Sequence, residues 1–261
     1  MDLTTIVITH GNRIATVTLA RPDVRNAFNQ RMIAELTWAF DALSYERDVR
    51  AIVLAGLGTA FCAGADLTWM REMADFSPEE NLADAGQLAK MLNTIYLCPH
   101  PVVARIQGDV YAGGMGLVAA CDIAVAADTA QFCLSEVKLG LIPATISPYV
   151  IKAMGESAAR RYFLTAERFS AAEAHRIGFV HSLTSPETLD ATLEGLLSHL
   201  ISASPHAVRE AKRLVRDIGG APIDEVLIAD TAERIAAIRA SDEGREGVRA
   251  FLDKRKPGWI A

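Results

Sequence analysis

The stretch that decides the fold is GDVYAGGMGLVAACDIAVA, residues Gly108 to Ala126. It follows the apolar run PVVARI and contains a glycine-rich turn, the helical run GLVAACD and a second strand-like run, DIAVAA. Short apolar runs bounded by turn residues are typical of buried strands. A strand, a turn, a helix and a further strand in close succession therefore predict an α/β fold.

The same alternation extends toward the N-terminus. The run AIVLAG (Ala51–Gly56) predicts a buried strand, and the segment from Pro78 to Leu97 predicts a helix. Two alternating runs, from Thr4 to Thr9 and from Ile14 to Leu19, flank a Gly-Asn pair and predict a β-hairpin. Between them and AIVLAG lies a predicted helix with an N-cap at Asn29 and apolar residues at helical spacing, namely Met32, Leu36, Phe40 and Leu43.

Strand-like runs end after about Leu183, and helical spacing continues through Val208, Ala211, Val215 and Ile218. We therefore divide the chain into an α/β core, residues 1–195, and a helical C-terminal region, residues 196–261. No repeat of fixed period or low-complexity linker separates the two.

The composition excludes several classes of protein. The chain has 261 residues, of which 51% are hydrophobic and 22% charged, and its net charge of −6 argues against nucleic-acid binding. It contains no export signal and no apolar run of membrane-spanning length, so we expect no membrane partner. The four cysteines form no CxxC pair and predict reduced thiols in the cytoplasm, although Cys62 remains a minor nucleophile candidate. The six histidines lack HExxH spacing, so no metal site is predicted.

Two glycine-containing turns are the first candidates for chemistry. GLGTAFCAGADL (Gly56–Leu67) and GDVYAGGMGLVAACD (Gly108–Asp122) each lead from a buried strand through small residues toward a predicted helix. Amides in such turns can converge on one oxygen and form an oxyanion hole. Each turn by itself is also explained as a tight connection in an α/β body. A dinucleotide-binding fingerprint is excluded because Gly56-Leu57-Gly58 lacks the third glycine at the required spacing.

Glu136 is the third candidate, because it lies among apolar residues in CLSEVKLGLIP (Cys133–Pro143). A carboxylate in such a stretch either faces solvent from a short helix or is buried with a raised pKa. The second arrangement suits general acid–base catalysis.

Together these stretches resemble the enoyl-CoA hydratase/isomerase (crotonase) superfamily. The matching segments occur in the family's order and cover most of residues 13–185. They are ARPDVRNAFN (Ala20–Asn29), AFCAGADL (Ala60–Leu67), GDVYAGGMGLVAACDIAVA (Gly108–Ala126), SEVKLGLIP (Ser135–Pro143) and LTAERFSAAEAHRIGFV (Leu164–Val180).

The resemblance implies a spiral of ββα turns, a helical C-terminal trimerisation region, and homotrimers or hexamers built as dimers of trimers. It implies an acyl-CoA thioester substrate of fatty-acid metabolism and no separate cofactor, since CoA is part of the substrate. The oxyanion amides map onto Ala65 and Gly113, and the catalytic carboxylate maps onto Glu136. Arg25 and the basic tail from Lys254 to Lys256 are candidate phosphate partners. The predicted CoA-binding positions are Val24, Arg25, Ala27, Ala63, Asp66, Leu67 and Gly114.

The chain departs from the two-glutamate hydratases at Gly116, where their first catalytic glutamate lies. Two functions follow from the single remaining carboxylate: hydration of a 2-enoyl-CoA, which we favour, or Δ3,Δ2-enoyl-CoA isomerisation with Glu136 as proton shuttle. A non-catalytic CoA- or RNA-binding protein is a third alternative. AFCAGADLTWM, GGMGLVAACDIAVA and FCLSEVKLGLIPATISPYV look like the bacterial 3-methylglutaconyl-CoA hydratase branch, which implies a branched acyl group and leucine degradation. In ATISPYV, Ser147 and Tyr149 are candidates for shaping the acyl pocket.

Overall fold

The computed structural model describes residues 1–260. Ten strands within that range form a six-stranded and a four-stranded sheet. The strands are β1 (Ile6–Gly11), β2 (Ile14–Leu19), β3 (Ala51–Gly56), β4 (Ala60–Cys62), β5 (Val102–Ile106), β6 (Asp109–Tyr111), β7 (Ile123–Ala127), β8 (Gln131–Cys133), β9 (Phe169–Ser170) and β10 (Ser182–Thr184).

The same range contains ten α-helices. They are α1 (Gln30–Ser44), α2 (Leu67–Met73), α3 (Pro78–Leu97), α4 (Gly113–Ala120), α5 (Ser147–Thr165), α6 (Ala171–Arg176), α7 (Leu189–Ser202), α8 (Pro205–Ile218), α9 (Glu225–Ala240) and α10 (Asp242–Leu252). Short 3₁₀ helices occupy Pro22–Val24, Glu136–Leu139, Pro186–Thr188 and Gly258–Ile260. No helix within residues 1–260 is long and apolar enough to cross a membrane.

The larger sheet has the order β1-β2-β3-β5-β7-β10, and its strands are parallel from β2 onward. All six residues of β3 are buried, because helices cover both faces of the sheet. Ile52 and Leu54 face the main core, whereas Val53 and its neighbours face α7, as the two-residue period of a strand requires. AIVLAG is thus confirmed as a buried strand.

The smaller sheet has the order β4-β6-β8-β9, with β4, β6 and β8 parallel and β9 antiparallel to β8. Successive strands alternate between the sheets: β3 enters the larger and β4 the smaller, and the pairs β5–β6 and β7–β8 repeat this before α4 and α5. The chain therefore winds as a spiral of ββα turns, which confirms the predicted fold. Both glycine-containing stretches lead into a helix, α2 or α4, and each contains a three-residue strand, β4 or β6, before that helix.

The N-terminal hairpin is confirmed, with β1 and β2 antiparallel and in register from Ile6–Leu19 to Gly11–Ile14. Its two loop residues are Asn12 and Arg13, both at positive φ, and not the predicted Gly-Asn pair. Two consecutive positive φ angles match the right-handed twist of the flanking strands. Asn29 is confirmed as the N-cap of α1, since its side chain accepts a hydrogen bond from Met32 N.

Helix α7 packs on one face of the larger sheet through Leu189, Leu193 and Leu197. The boundary predicted between residues 195 and 196 falls inside this helix, so the helix that covers the core also leads into the C-terminal region. Beyond it, α8 and α9 contain no buried residue and α10 contains one, Ala250.

A buried carboxylate, Glu35 on α1, joins the first helix to the chain that enters β1. The side chain is 0% exposed and accepts hydrogen bonds from the amides of Thr4 (2.9 Å), Thr5 (2.9 Å) and Ile6 (3.2 Å). The Thr4 hydroxyl at 3.0 Å, the Thr5 hydroxyl at 2.6 Å and the Arg31 guanidinium at 2.6 Å complete its shell. Burial alone would raise the pKa of Glu35, but these hydrogen bonds lower it to about 2.

We expect Glu35→Gln to lower the free energy of unfolding by about 3 kcal/mol at pH 7, because a neutral amide leaves buried donors poorly matched. Since the pKa of Glu35 is depressed in the folded state, its contribution is complete above about pH 4.5 and is lost toward pH 2. Urea unfolding at pH 7 and pH 3 measures both effects. Asp41→Asn, at an exposed site on the same helix, is the control. It should change neither the free energy of unfolding at pH 7 nor that at pH 3.

Candidate active site

The carboxyl ends of β4, β6 and β8 lie side by side, because the three strands are parallel neighbours in the smaller sheet. The chain reaches Ala65 three residues after β4, Gly113 two residues after β6 and Glu136 three residues after β8. In parallel sheets, ligands bind beyond the carboxyl ends of the strands. The three residues predicted to be catalytic thus follow the same edge of the smaller sheet.

A bridge to Phe28 fixes the direction of the Ala65 amide. Phe28 N donates to Gly64 O at 2.8 Å, and Asp66 N donates to Phe28 O at 3.0 Å. In a parallel bridge the residue opposite the partner directs its own N–H and C=O to the other side. The N–H of Ala65 therefore points away from Phe28.

The Gly113 amide lies next to this turn. A methyl group placed on Gly64 would lie 3.0 Å from Ala112 Cβ and 3.7 Å from Gly113 N, and Gly64 has a φ of +92°. Only glycine combines that backbone conformation with so close an approach. Gly113 is the first residue of α4, so its N–H has no acceptor within the helix. Two amides from separate turns are thus available side by side.

Strain is concentrated at Ala112, directly before the second amide. Its φ of 47° and ψ of −121° are rare for a residue with a side chain, and such a conformation costs about 1–3 kcal/mol. Ala112 N donates to Cys133 O at 2.8 Å, which ties the turn to the end of β8. The surrounding sheet therefore holds the turn in the conformation that directs the Gly113 amide.

Glu136 begins the 3₁₀ helix that follows β8, and its Oε2 atom is buried without a hydrogen-bond partner within residues 1–260. Burial raises the pKa of the Glu136 carboxyl above its ordinary value. A carboxylate with these properties is a stronger base than an exposed one, and its free oxygen can bind a water or a substrate proton. Glu136 thus has the environment of a general base.

The comparisons with known proteins agree with this geometry. Residues 9–261 match the model of the enoyl-CoA hydratase/isomerase family. A putative enoyl-CoA hydratase of Thermus thermophilus is 34% identical over 245 residues, 94% of this chain and 96% of that protein.

The chain belongs to the enoyl-CoA hydratase/isomerase family. Two crystal structures show the same fold: a putative enoyl-CoA hydratase/isomerase (crotonase) of Legionella pneumophila and an enoyl-CoA hydratase of Shewanella pealeana. The first is 42% identical, covers 99% of this chain and 100% of that chain, and has a TM-score of 0.94. The second is 42% identical, covers 98% and 96%, and has a TM-score of 0.95. The predicted superfamily and crotonase fold are confirmed, as is the prediction of an enzyme of enoyl-CoA chemistry.

The positions predicted to bind CoA lie on two adjoining segments, residues 24–27 and 63–67, and at Gly114 in α4. Ala63 N donates to Arg25 O at 3.0 Å, which holds the loop after the first 3₁₀ helix against the turn after β4. Val24 is exposed and Arg25 has a φ of 54°, whereas Ala27 is buried. Leu67 is exposed, and Gly114 is buried where a methyl group would lie 2.7 Å from Cys62 O. Their roles in a crotonase-family site remain predictions.

Asp66 and Arg21 hold those two segments together. Arg21 donates to Asp66 Oδ2 at 2.8 Å and to Ala27 O at 2.6 Å, and Asp66 caps α2 by accepting from Thr68 N at 2.7 Å. Burial alone would raise the pKa of Asp66, but the hydrogen bond from Arg21 lowers it below its ordinary range. The Asp66 side chain is thus engaged within the protein. The sequence motif ARPDVRNAFN contains Arg21, but nothing in it indicates this partner.

Phe28 is a residue that the sequence analysis did not single out. A methyl group placed on Gly113 would lie 2.2 Å from Phe28 Cζ, so the ring packs directly against the second amide-bearing residue. The backbone of the same residue forms the bridge at Ala65. Its fully buried position between the two turns could be found only once the turns had been placed in space.

The basic tail does not join Arg25 within one chain. Trp259 O accepts a hydrogen bond from Arg13, which precedes β2, whereas Arg25 follows the opposite end of that strand. Arg255 pairs with Glu246 at 2.6 Å. The candidate phosphate partners, Arg25 and Lys254 to Lys256, therefore belong to separate parts of one chain.

The remaining predicted polar sites are placed as follows. Cys62, Cys98, Cys121 and Cys133 are free, and burial raises the pKa of Cys62 to about 12, which argues against a thiolate nucleophile there. Within residues 1–260 no three His, Cys, Asp or Glu side chains come together as metal ligands would. Ser147 donates to Ala144 O at 2.8 Å, and Tyr149 packs edge-on against Tyr96.

Proposed function

We propose that this protein hydrates a 2-enoyl-CoA thioester, with Ala65 N–H and Gly113 N–H as the oxyanion hole and Glu136 as the only catalytic carboxylate. The observation that supports it most is the buried, unpartnered Oε2 of Glu136, on a segment that follows the same edge of the smaller sheet as the two amides. The family relationship supplies the class of substrate.

In this mechanism the thioester oxygen accepts hydrogen bonds from both amides. As water attacks C3, the electrons of the C2–C3 double bond shift toward that oxygen and form an enolate. Fixed donors aimed at a developing negative charge are worth about 3–4 kcal/mol each. The amides need no reorganisation during the reaction, because the Phe28 bridge and the start of α4 already fix their directions.

Glu136 moves the proton. Its carboxylate accepts a proton from the attacking water while the oxygen of that water bonds to C3. The protonated Glu136 then returns the proton to C2 as the enolate collapses to the thioester, so that one group serves as base and acid. Burial favours this dual role, because it raises the pKa toward the pH at which the enzyme works.

The single carboxylate also suits a Δ3,Δ2-enoyl-CoA isomerase, in which Glu136 would take a proton from C2 and return it to C4 through a dienolate held by the same two amides. The absence of a side chain at Gly116 favours this alternative as much as it favours a one-carboxylate hydratase. The retained Glu136 argues against a non-catalytic CoA-binding protein.

For the acyl group we propose a branched 2-enoyl-CoA of the 3-methylglutaconyl type, as in leucine degradation. For the protein we propose a cytoplasmic location. The apolar segment that follows Glu136, in which Ile142 and Ile146 flank Pro143, supports the branched substrate. The four free cysteines support a reducing compartment. Subcellular fractionation tests the location directly.

We expect the purified protein to hydrate 2-enoyl-CoA esters, seen as loss of the absorbance of the conjugated thioester and formation of the 3-hydroxyacyl-CoA. Crotonyl-CoA, 3-methylcrotonyl-CoA and 3-methylglutaconyl-CoA are the substrates to compare. A 3-enoyl-CoA is the matched control. Gain of conjugated absorbance from the 3-enoyl ester, with no loss from any 2-enoyl ester, would establish the isomerase instead.

The pKa of Glu136 predicts the pH dependence of the reaction. Because the base must be ionised and its pKa is raised, kcat/KM should increase with pH through an inflection above about 4.5. Glu136→Gln should remove the inflection and lower kcat about 100- to 10,000-fold, with CoA affinity nearly unchanged. Glu187→Gln, an exposed position far along the chain, is the control. Full turnover by the Glu136 variant would assign the proton transfer to another group.

We also propose that the chain assembles as a homotrimer or a dimer of trimers through its C-terminal helices. Those helices leave large apolar side chains exposed, including Val226 at 78% and Phe251 at 82%. Light scattering should give three or six times the chain mass of 28.1 kDa. Phe251→Asp should shift the assembly toward single chains, and a wild-type mass of one chain would reject the proposal.

A further inference from the structure

Gly116 lies one helical turn beyond Gly113, and the side chain of another residue fills the space next to its Cα. A methyl group placed on Gly116 would lie 2.3 Å from Ile146 Cγ2, 2.8 Å from Ile146 Cβ and 3.5 Å from Leu92 Cδ2. The first two distances are far below van der Waals contact, so a side chain at 116 and the isoleucine cannot both fit. The side chain of Ile146 therefore occupies the volume that any side chain at 116 would need.

Ile146 is fixed in that position. It is 1% exposed, and its carbonyl accepts hydrogen bonds from Tyr149 N and Val150 N at the start of α5. Branching at Cβ restricts its χ1 angle, which leaves the side chain little freedom to swing away. The isoleucine is therefore a permanent apolar wall over Gly116 and not a mobile side chain.

The pair lies behind the predicted oxyanion residue. Residues three apart on a helix share a face, so Gly116 lies one turn beyond Gly113, whose amide would bind the thioester oxygen on C1 of the substrate. Ile146 precedes α5 and comes ten residues after Glu136, through the loop that follows its 3₁₀ helix. Since C3 is only two bonds from C1, about 2.5 Å away, the substituents on C3 would lie near this buried contact.

We propose that Gly116 and Ile146 are a size-matched pair that determines substrate specificity at C3. The contact between them is alkyl and buried, so it restricts the space near C3 and offers no polar group; the substrate class is a 2-enoyl-CoA with at most a small alkyl branch at C3, and any charged group of the acyl chain lies beyond it. The inference deepens the proposed hydratase function and rests on it.

The test compares kcat/KM for 3-methylcrotonyl-CoA and crotonyl-CoA, which differ by one methyl group on C3. Ile146→Ala removes most of the wall and enlarges the space near C3. It should raise the ratio of kcat/KM for the branched over the linear substrate about tenfold or more, since one methylene in a pocket changes selectivity by that order. Gly116→Ala adds a methyl group against Ile146 and narrows the space near C3, so it should lower the ratio. The double variant should return to within about threefold of the wild type, because one change compensates the other.

Val150→Ala is the matched control, since Val150 is 0% exposed on the same helix, one turn after Ile146. Val150→Ala also removes buried apolar volume. Its ratio of branched to linear kcat/KM should stay within about twofold of the wild type, while its Tm falls. If Gly116→Ala fails to fold, the series Ile146→Val and Ile146→Ala provides the same graded measurement.

The outcomes separate the two proposals. If the wild type hydrates both esters but the ratio is unchanged in folded Ile146→Ala, the specificity pair is rejected and the hydratase stands. An equal change in Val150→Ala and Ile146→Ala would likewise reject it, because the effect would then be a general consequence of core loss. If the wild type hydrates neither ester nor any other 2-enoyl-CoA, the hydratase itself is rejected.

Discussion

The proposed active site depends on two backbone amides, from separate turns, that must lie side by side and yet remain unpaired. Phe28 meets both requirements at once. Its main chain pairs with Gly64 and Asp66, which turns the Ala65 N–H away from it, and its ring packs on Gly113. A residue that merely filled space would leave the Ala65 amide free to find another acceptor. Parallel pairing with Phe28 fixes the direction of the Ala65 N–H and so prevents it from turning toward another acceptor.

The same chain contains two glutamates with opposite surroundings, the buried Glu35 and the half-buried Glu136. Glu35 receives hydrogen bonds from three amides, two hydroxyls and a guanidinium, and its pKa falls to about 2. Glu136 has an unpartnered oxygen, and burial raises its pKa. Burial alone therefore does not decide the role of a carboxylate; the number of donors around it does. An unpaired buried oxygen costs stability, and in a protein of marginal stability such a cost is retained where function requires it.

The elements that sequence predicted well are those whose signal lies within a single segment. The sequence predicts the strand AIVLAG, the helix from Pro78 to Leu97 and the cap at Asn29 correctly. The spacing of apolar residues and the chemistry of a helix cap can both be recognised within one segment. The second sheet was missed, because strands of three residues such as β4 and β6 are too short to show alternation. Glu136 was found because a carboxylate is conspicuous among apolar residues. Phe28 and Ile146 were not, since their importance lies in contacts with residues distant in sequence.

The contact between Gly116 and Ile146 shows how packing limits the chemistry available at one position. The core near α4 is close-packed, so a glycine at 116 would leave a cavity unless another group filled it. Ile146, the residue before α5, fills it with a branched apolar side chain. Neither residue can be changed alone without strain or a void. A side chain at 116, a carboxylate included, would therefore require position 146 to change with it.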